Sequence, residues 1–175
     1  SIFDEAVTSA GLYCLHLHGG TILQGRIASN DTYDVVVTTP DGNRHELPKI
    51  KIKILYPAEY ADRVQEQAKI AAAIQSQGLD PIVSAKQRNF IKNKNLLALM
   101  REQKELIFTL LEGEIVRGCI QSFSQYEITL SLKDREPVVV LRHAILDVRN
   151  EQGRCFLKVS QQSLRDWTKS GLYID

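Results

Sequence analysis

The chain has 175 residues, enough for one ordinary domain or two small ones. Hydrophobic residues make up 43% and charged residues 25%, an ordinary globular balance, and the formal net charge of +1 excludes a polycation, so any nucleic-acid site must be a local patch. The three cysteines, Cys14, Cys119 and Cys155, are too few and too unpaired for a disulfide scaffold and point to a reducing, cytoplasmic setting; no apolar run reaches the roughly 18 residues of a membrane span.

The first residues, 3–11, allow a helix of little more than two turns. Residues 12–17 alternate Leu12, Cys14 and His16 against Tyr13, Leu15 and Leu17, the period of a strand. Gly19 and Gly20 then supply a hairpin turn. Residues 21–30 read as a strand with Gly25 inside it, and an interior glycine marks a bend, a bulge or a close backbone approach. A β-branched strand follows at 33–39, then a turn at 40–43. Residues 45–57 close the set, with Ile50, Ile52 and Ile54 alternating against Lys49, Lys51 and Lys53; that pattern predicts one buried and one wet face.

Residues 58–84 are expected to be a helical linker, rich in Ala, Gln and Glu, with Val64, Ala68, Ala71 and Ala72 as its apolar stripe and Gly78 as its stop. Asp80-Pro81 breaks the chain. A second helical stretch is expected from Ser84 to Gln103, with Phe90, Ile91, Leu97, Leu99 and Met100 as buried positions. Five strand-like segments then fill 105–149. The tail, 151–175, reads as a short helix docking Leu164 and Trp167.

The two strand sets are copies. Gly20 and Gly113 differ by 93, as do Gly25 and Gly118, Ile27 and Ile120, Ser29 and Ser122, Tyr33 and Tyr126, Asp41 and Asp134, Lys49 and Arg142, and Ile52 and Ile145. So long a run of matches at one spacing indicates duplication. Residues 1–57 form the first unit and 85–150 the second. Short, bent antiparallel strands of this kind predict a small barrel in each, since folding a sheet onto itself limits bare edges. The expected fold class is therefore mainly β with helices, as two tandem five-stranded antiparallel barrels joined by a helical linker.

A helix before five bent strands, with this glycine spacing, resembles the Sm-like fold. The second copy is similar more narrowly to the Hfq family of bacterial RNA chaperones. Residues 110–130 carry the resemblance, with Ser122, Phe123, Ser124, Gln125 and Tyr126 in sequence. Leu141, Arg142, His143, Ala144 and Ile145 stand where that family has its basic motif. The resemblance implies a ring closed by strand pairing between neighbours, here a homotrimer acting as a pseudo-hexamer. It also implies single-stranded, uridine-rich RNA as partner and an RNA-chaperone or regulatory role. Gln125, Tyr126, Arg142 and His143 take the family's RNA-contact positions. Tyr33 and Lys49 are their counterparts in the first copy, where Thr32 and Ile50 depart from the motif. Arg101 is what remains of a basic outer rim. Thr109 and His16 replace the aromatic of the adenine-binding face, so A-rich tracts are not the expected ligand.

The chemistry agrees independently of the resemblance. Single-stranded RNA is held by an aromatic surface, worth about 1–3 kcal/mol per base, beside cations for phosphate. Arg142 offers a planar fork and His143 a hydrogen-bond donor. His16 and His18 share a strand face but lack companion ligands for a metal. No phosphate loop, nucleophile motif or framed acid pair appears, so neither an enzyme nor a cofactor is expected. The competing reading is a structural or protein-interaction module of the same fold with little RNA binding; a preference for DNA is a third.

Overall fold

The computed structural model describes residues 1–157; the expected tail helix with Leu164 and Trp167 lies outside them. Among the described residues eleven strands make one antiparallel sheet. They are β1 (Leu12–Leu17), β2 (Ile22–Asn30), β3 (Asp34–Thr38), β4 (Arg44–Pro48), β5 (Ile52–Pro57), β6 (Lys69–Ile70), β7 (Leu106–Leu110), β8 (Glu114–Phe123), β9 (Glu127–Ser131), β10 (Pro137–Leu141) and β11 (Ile145–Asn150). The helices are α1 (Ile2–Ser9), α2 (Ala61–Glu66), α3 (Ala72–Gln75) and α4 (Asn93–Glu102). The sheet runs β11-β7-β8-β9-β10-β5-β1-β2-β3-β4, with β6 added alongside β8. Mainly β structure with helices is thus present as expected, joined into a single continuous sheet.

The 93-residue spacing recurs in backbone geometry. Adding 93 carries Arg44–Pro48 onto Pro137–Leu141 and Ile52–Pro57 onto Ile145–Asn150, element for element. Helices α1 and α4 both end on a left-handed residue, Ala10 at φ 53° and Gln103 at φ 52°. The bulge between Ile27 and Ser29 returns between Ile120 and Ser122. Strands β2 and β8 each change partner along their length: β8 pairs with β7 up to Gly118 and with β9 from Cys119. At the bend a side chain would collide. A Cβ on Gly25 would lie 2.7 Å from Thr38 O, and one on Gly118 2.7 Å from Ser131 O.

Two main apolar clusters follow the duplication. Phe3 and Ala6 of α1 pack on Leu15, Ile27, Val35, Val37, Ile52 and Leu55. Leu96 and Leu99 of α4 pack with Phe108, Leu110, Ile120, Ile128 and Val148, in a larger cluster that also takes Cys14, Ile54 and Tyr56 from the first copy and Val64 from the linker. Each fully buried Leu, Ile or Phe contributes about 1.5–3 kcal/mol. The copies are joined where β5 meets β10, at Leu55↔Val139 and Ile54↔Val140.

The linker departs from the expected helix. After α2 the chain extends as β6, whose Lys69 and Ile70 pair with Ile115 and Glu114. The reason is the bend in β8: its first half turns away from β9 and offers an unfilled side, which the linker backbone occupies. Ala71 N–H then donates to Gly113 O at 2.7 Å. The second helical stretch is also shorter than expected. Residues 84–92 hold only a short 3-10 turn, because tertiary contacts claim them: Asn89 Nδ2 donates to Ile145 O at 2.9 Å. Ile91 and Leu99 are buried as expected and Met100 packs against the core, whereas Phe90 and Leu97 are exposed. The lysine face is corrected too, since Lys53 is only 3% exposed.

Candidate nucleic-acid interface

The β2–β3 and β8–β9 connections are built alike. Asp31 N–H donates to Asp34 O at 2.9 Å, and Ser124 N–H to Glu127 O at 2.8 Å. Each turn is then tied to the 3-10 turn that follows the fourth strand: Lys49 N–H to Tyr33 O and Arg142 N–H to Tyr126 O, both 2.8 Å. The backbone of each tyrosine is held while its ring stands in solvent, 79% exposed for Tyr33 and 63% for Tyr126. Gln125 beside it is exposed as well.

Arg142 is largely engaged within the chain. Its Nη1 donates to Asn93 Oδ1 (3.0 Å) and Ser124 O (2.8 Å), and its Nη2 to Ile91 O (2.9 Å). The guanidinium lies 5.9 Å from the Phe90 ring centre, and burial holds its pKa below the usual arginine value. It ties the segment before α4 to the Tyr126 turn. His143 is half-buried with Nε2 2.8 Å from Ile52 O. Burial pushes its pKa down to about 4, with Arg88 adding to the shift and the Ile52 bond opposing it. Neutral His143 therefore donates to that carbonyl and fastens the second copy to the first. Lys49 reaches Asp31 O and, at 3.4 Å, Thr32 O, with its ammonium 5.3 Å from the Phe3 ring centre. Arg101 is exposed on the last turn of α4.

The structure thus brings Gln125, Tyr126 and Arg142 to one corner and Tyr33 and Lys49 to the corresponding corner of the first copy, while His143 turns inward. It adds residues that the sequence reading placed in the core or passed over. Phe90 is 42% exposed and lies under Arg142. Lys86, Lys92 and Lys94 are exposed beside it, in a stretch, 81–101, with five basic residues and no acidic one. That one-signed stretch is the signal available from the sequence.

A cavity of about 700 Å³ opens at the junction of the copies, walled by β1, β5, β8 and the linker. At its base Lys53 pairs with Glu112 and Glu114. Glu112 also accepts from Gly19 N–H at 2.8 Å and stands 3.5 Å from His18 Nδ1. His16 does not join His18: its Nε2 is 2.8 Å from Tyr56 Oη. Among the described residues no three His, Cys, Asp or Glu side chains gather as a metal site. Nor does any described helix have the length and apolarity to cross a membrane.

No protein-family model matches this sequence, and no curated protein matches it.

Proposed function

We propose that the chain is a tandem Sm-like protein resembling Hfq, two small bent barrels that bind single-stranded, uridine-rich RNA and assemble as a pseudo-hexameric trimer. The observation that carries this is the pair of exposed tyrosines. Tyr33 and Tyr126 occupy the same place in both copies, their backbones clamped by the same bond to Lys49 and Arg142. Leaving two large rings in water gains nothing for folding, whereas a base can stack on each. The basic stretch 81–101 beside Tyr126 gives phosphate its counter-charge.

The internal ties of Arg142 and His143 favour the second reading, a structural or protein-interaction module. Fluorescence anisotropy with a short labelled oligouridine at low salt separates them. Binding that weakens with salt and with Tyr126→Ala supports the RNA reading. No anisotropy change with uridine, adenine or mixed oligomers supports the module.

A further inference from the structure

Among the described strands the sheet ends at β4 and at β11, and the two ends are treated differently. Odd-numbered residues of β4 face β3, as the bonds Thr39 N–H to Asn43 O and Lys49 N–H to Tyr33 O fix by alternation. Arg44, Glu46 and Pro48 therefore aim their backbone groups outward. At β11 the chain folds back on itself. Asn150 N–H donates to Arg154 O (3.1 Å), Phe156 N–H donates to Val148 O (3.0 Å), and Cys155 bridges to Arg149. The reversal is a tight turn, Gly153 N–H to Asn150 O at 3.0 Å, with Gly153 at φ 84°. Arg149 Nη1 donates to Gly153 O at 2.7 Å, and Phe156 and Leu157 are buried.

The internal junction shows what this segment displaces. Strands β5 and β10 meet at Leu55↔Val139 and Ile54↔Val140. The 93-residue spacing converts Leu55 to Val148, Ile54 to Asp147, Val139 to Glu46 and Val140 to Leu47. A second copy joining its β4 to β11 in the same register would set Glu46 against Val148. The outward carbonyl of Val148 is the one that Phe156 already holds. The copies diverge where the strand ends: Pro57, lacking an N–H, leads into a 3-10 turn, whereas its counterpart Asn150 uses its N–H to start the return.

We propose that residues 153–157 are a displaceable cap, standing on the β11 edge in the place of a second copy's β4, so that assembly through the sheet edges requires the cap to open. This rests on the ring reading above. Among the described residues the main-chain bonds between the cap and β11 are those of Asn150 with Arg154 and Gly153 and of Val148 with Phe156, and the β5–β10 contact that it imitates pairs two residues from each strand, so exchange between the two swaps ladder bonds for ladder bonds. Assembly then depends on concentration, with the cap competing at the edge.

The test is light scattering over a concentration series on three proteins: the unaltered chain, the pair Asn150→Cys with Arg154→Cys, and Gly153→Val. The cysteine pair locks the cap when oxidised; the valine strains a turn that needs positive φ while leaving Phe156 and Leu157 in place. The expected result is that the oxidised lock needs at least tenfold more protein to exceed single-chain mass than its reduced form does. Gly153→Val needs at least tenfold less than the unaltered chain to approach three times 19.8 kDa. Equal assembly of the oxidised and reduced lock overturns the cap and leaves the ring standing. Single-chain mass for the unaltered chain, the reduced lock and Gly153→Val at every concentration overturns the ring, and the cap with it.

Discussion

Lys53 Nζ stands 2.5 Å from Glu112 Oε1, joining a strand of the first copy to a turn of the second. With Glu114 on its other side, this nearly buried lysine is the shared cation of two carboxylates. Lys53→Met should therefore cost about 3–5 kcal/mol, because it leaves two part-buried carboxylates side by side without their shared cation. Urea unfolding followed by circular dichroism measures this. Burial raises the Glu112 pKa, but the bonds from Lys53 and Gly19 outweigh it and hold the carboxyl below 4.5. A depressed carboxylate pKa stabilises the fold above its unfolded value, and that contribution disappears as pH drops through the folded one. Glu112→Gln should remove this part of the acid sensitivity.

Two histidines act at higher pH. His16 is pushed down to about 4 by burial, with the Lys53 charge adding to it, and His143 to about 4 chiefly by burial. Above pH 6.5 both are neutral folded or unfolded and have no effect on the balance. As pH falls below that, the unfolded chain takes up two protons that the folded chain refuses. Stability should decline with a slope approaching about 2.5 kcal/mol per pH unit, and their contribution should level off below about pH 4. His143→Gln keeps a donor for the Ile52 carbonyl and should roughly halve the slope. Urea midpoints at pH 7, 6 and 5 give the comparison; an unchanged slope would show that His143 is protonated in the folded protein.

At the bends, Gly25→Ala and Gly118→Ala put a methyl against the carbonyls of Thr38 and Ser131. Backbone on both sides leaves little room to yield, so each should lower stability by about 1–3 kcal/mol. Gly42→Ala differs, since nothing lies near its missing Cβ and only its φ of 88° opposes the change. Thermal melts should separate this steric cost from the strain of the open turn.

These glycines, the alternating strands and the repeat spacing were legible in the sequence because each is a local property of the backbone. What was not legible depends on partners remote in the chain. Lys53 looks like its neighbours Lys49 and Lys51, and its burial is explained by Glu112, 59 residues on, and by Glu114 just beyond it. The acceptors that engage Arg142 include the carbonyls of Ile91 and Ser124, which carry no mark in the sequence. Residues 84–92 have helical composition, but their contacts with 142–145 override propensity. Phe90 was assigned to the core on hydrophobicity alone, which cannot tell a core ring from one lying under an arginine.

For RNA, ring and charge should separate cleanly. Tyr126→Ala and Tyr33→Ala should each weaken oligouridine binding by the roughly 1–3 kcal/mol of a stacked base and leave the melting temperature nearly unchanged, since both rings are in solvent. Arg142→Ala should instead lower the melting temperature, because Asn93, Ser124 and Ile91 lose their donor. Lys92→Ala with Lys94→Ala removes exposed charge alone. If both lysines meet phosphate, the slope of log affinity against log salt should flatten by about 1.4, near 0.7 per contact on a single strand. An unchanged slope with intact tyrosine effects would move the phosphate path elsewhere, toward Lys49 and Lys51. Loss of the tyrosine effects as well would leave the protein-interaction reading.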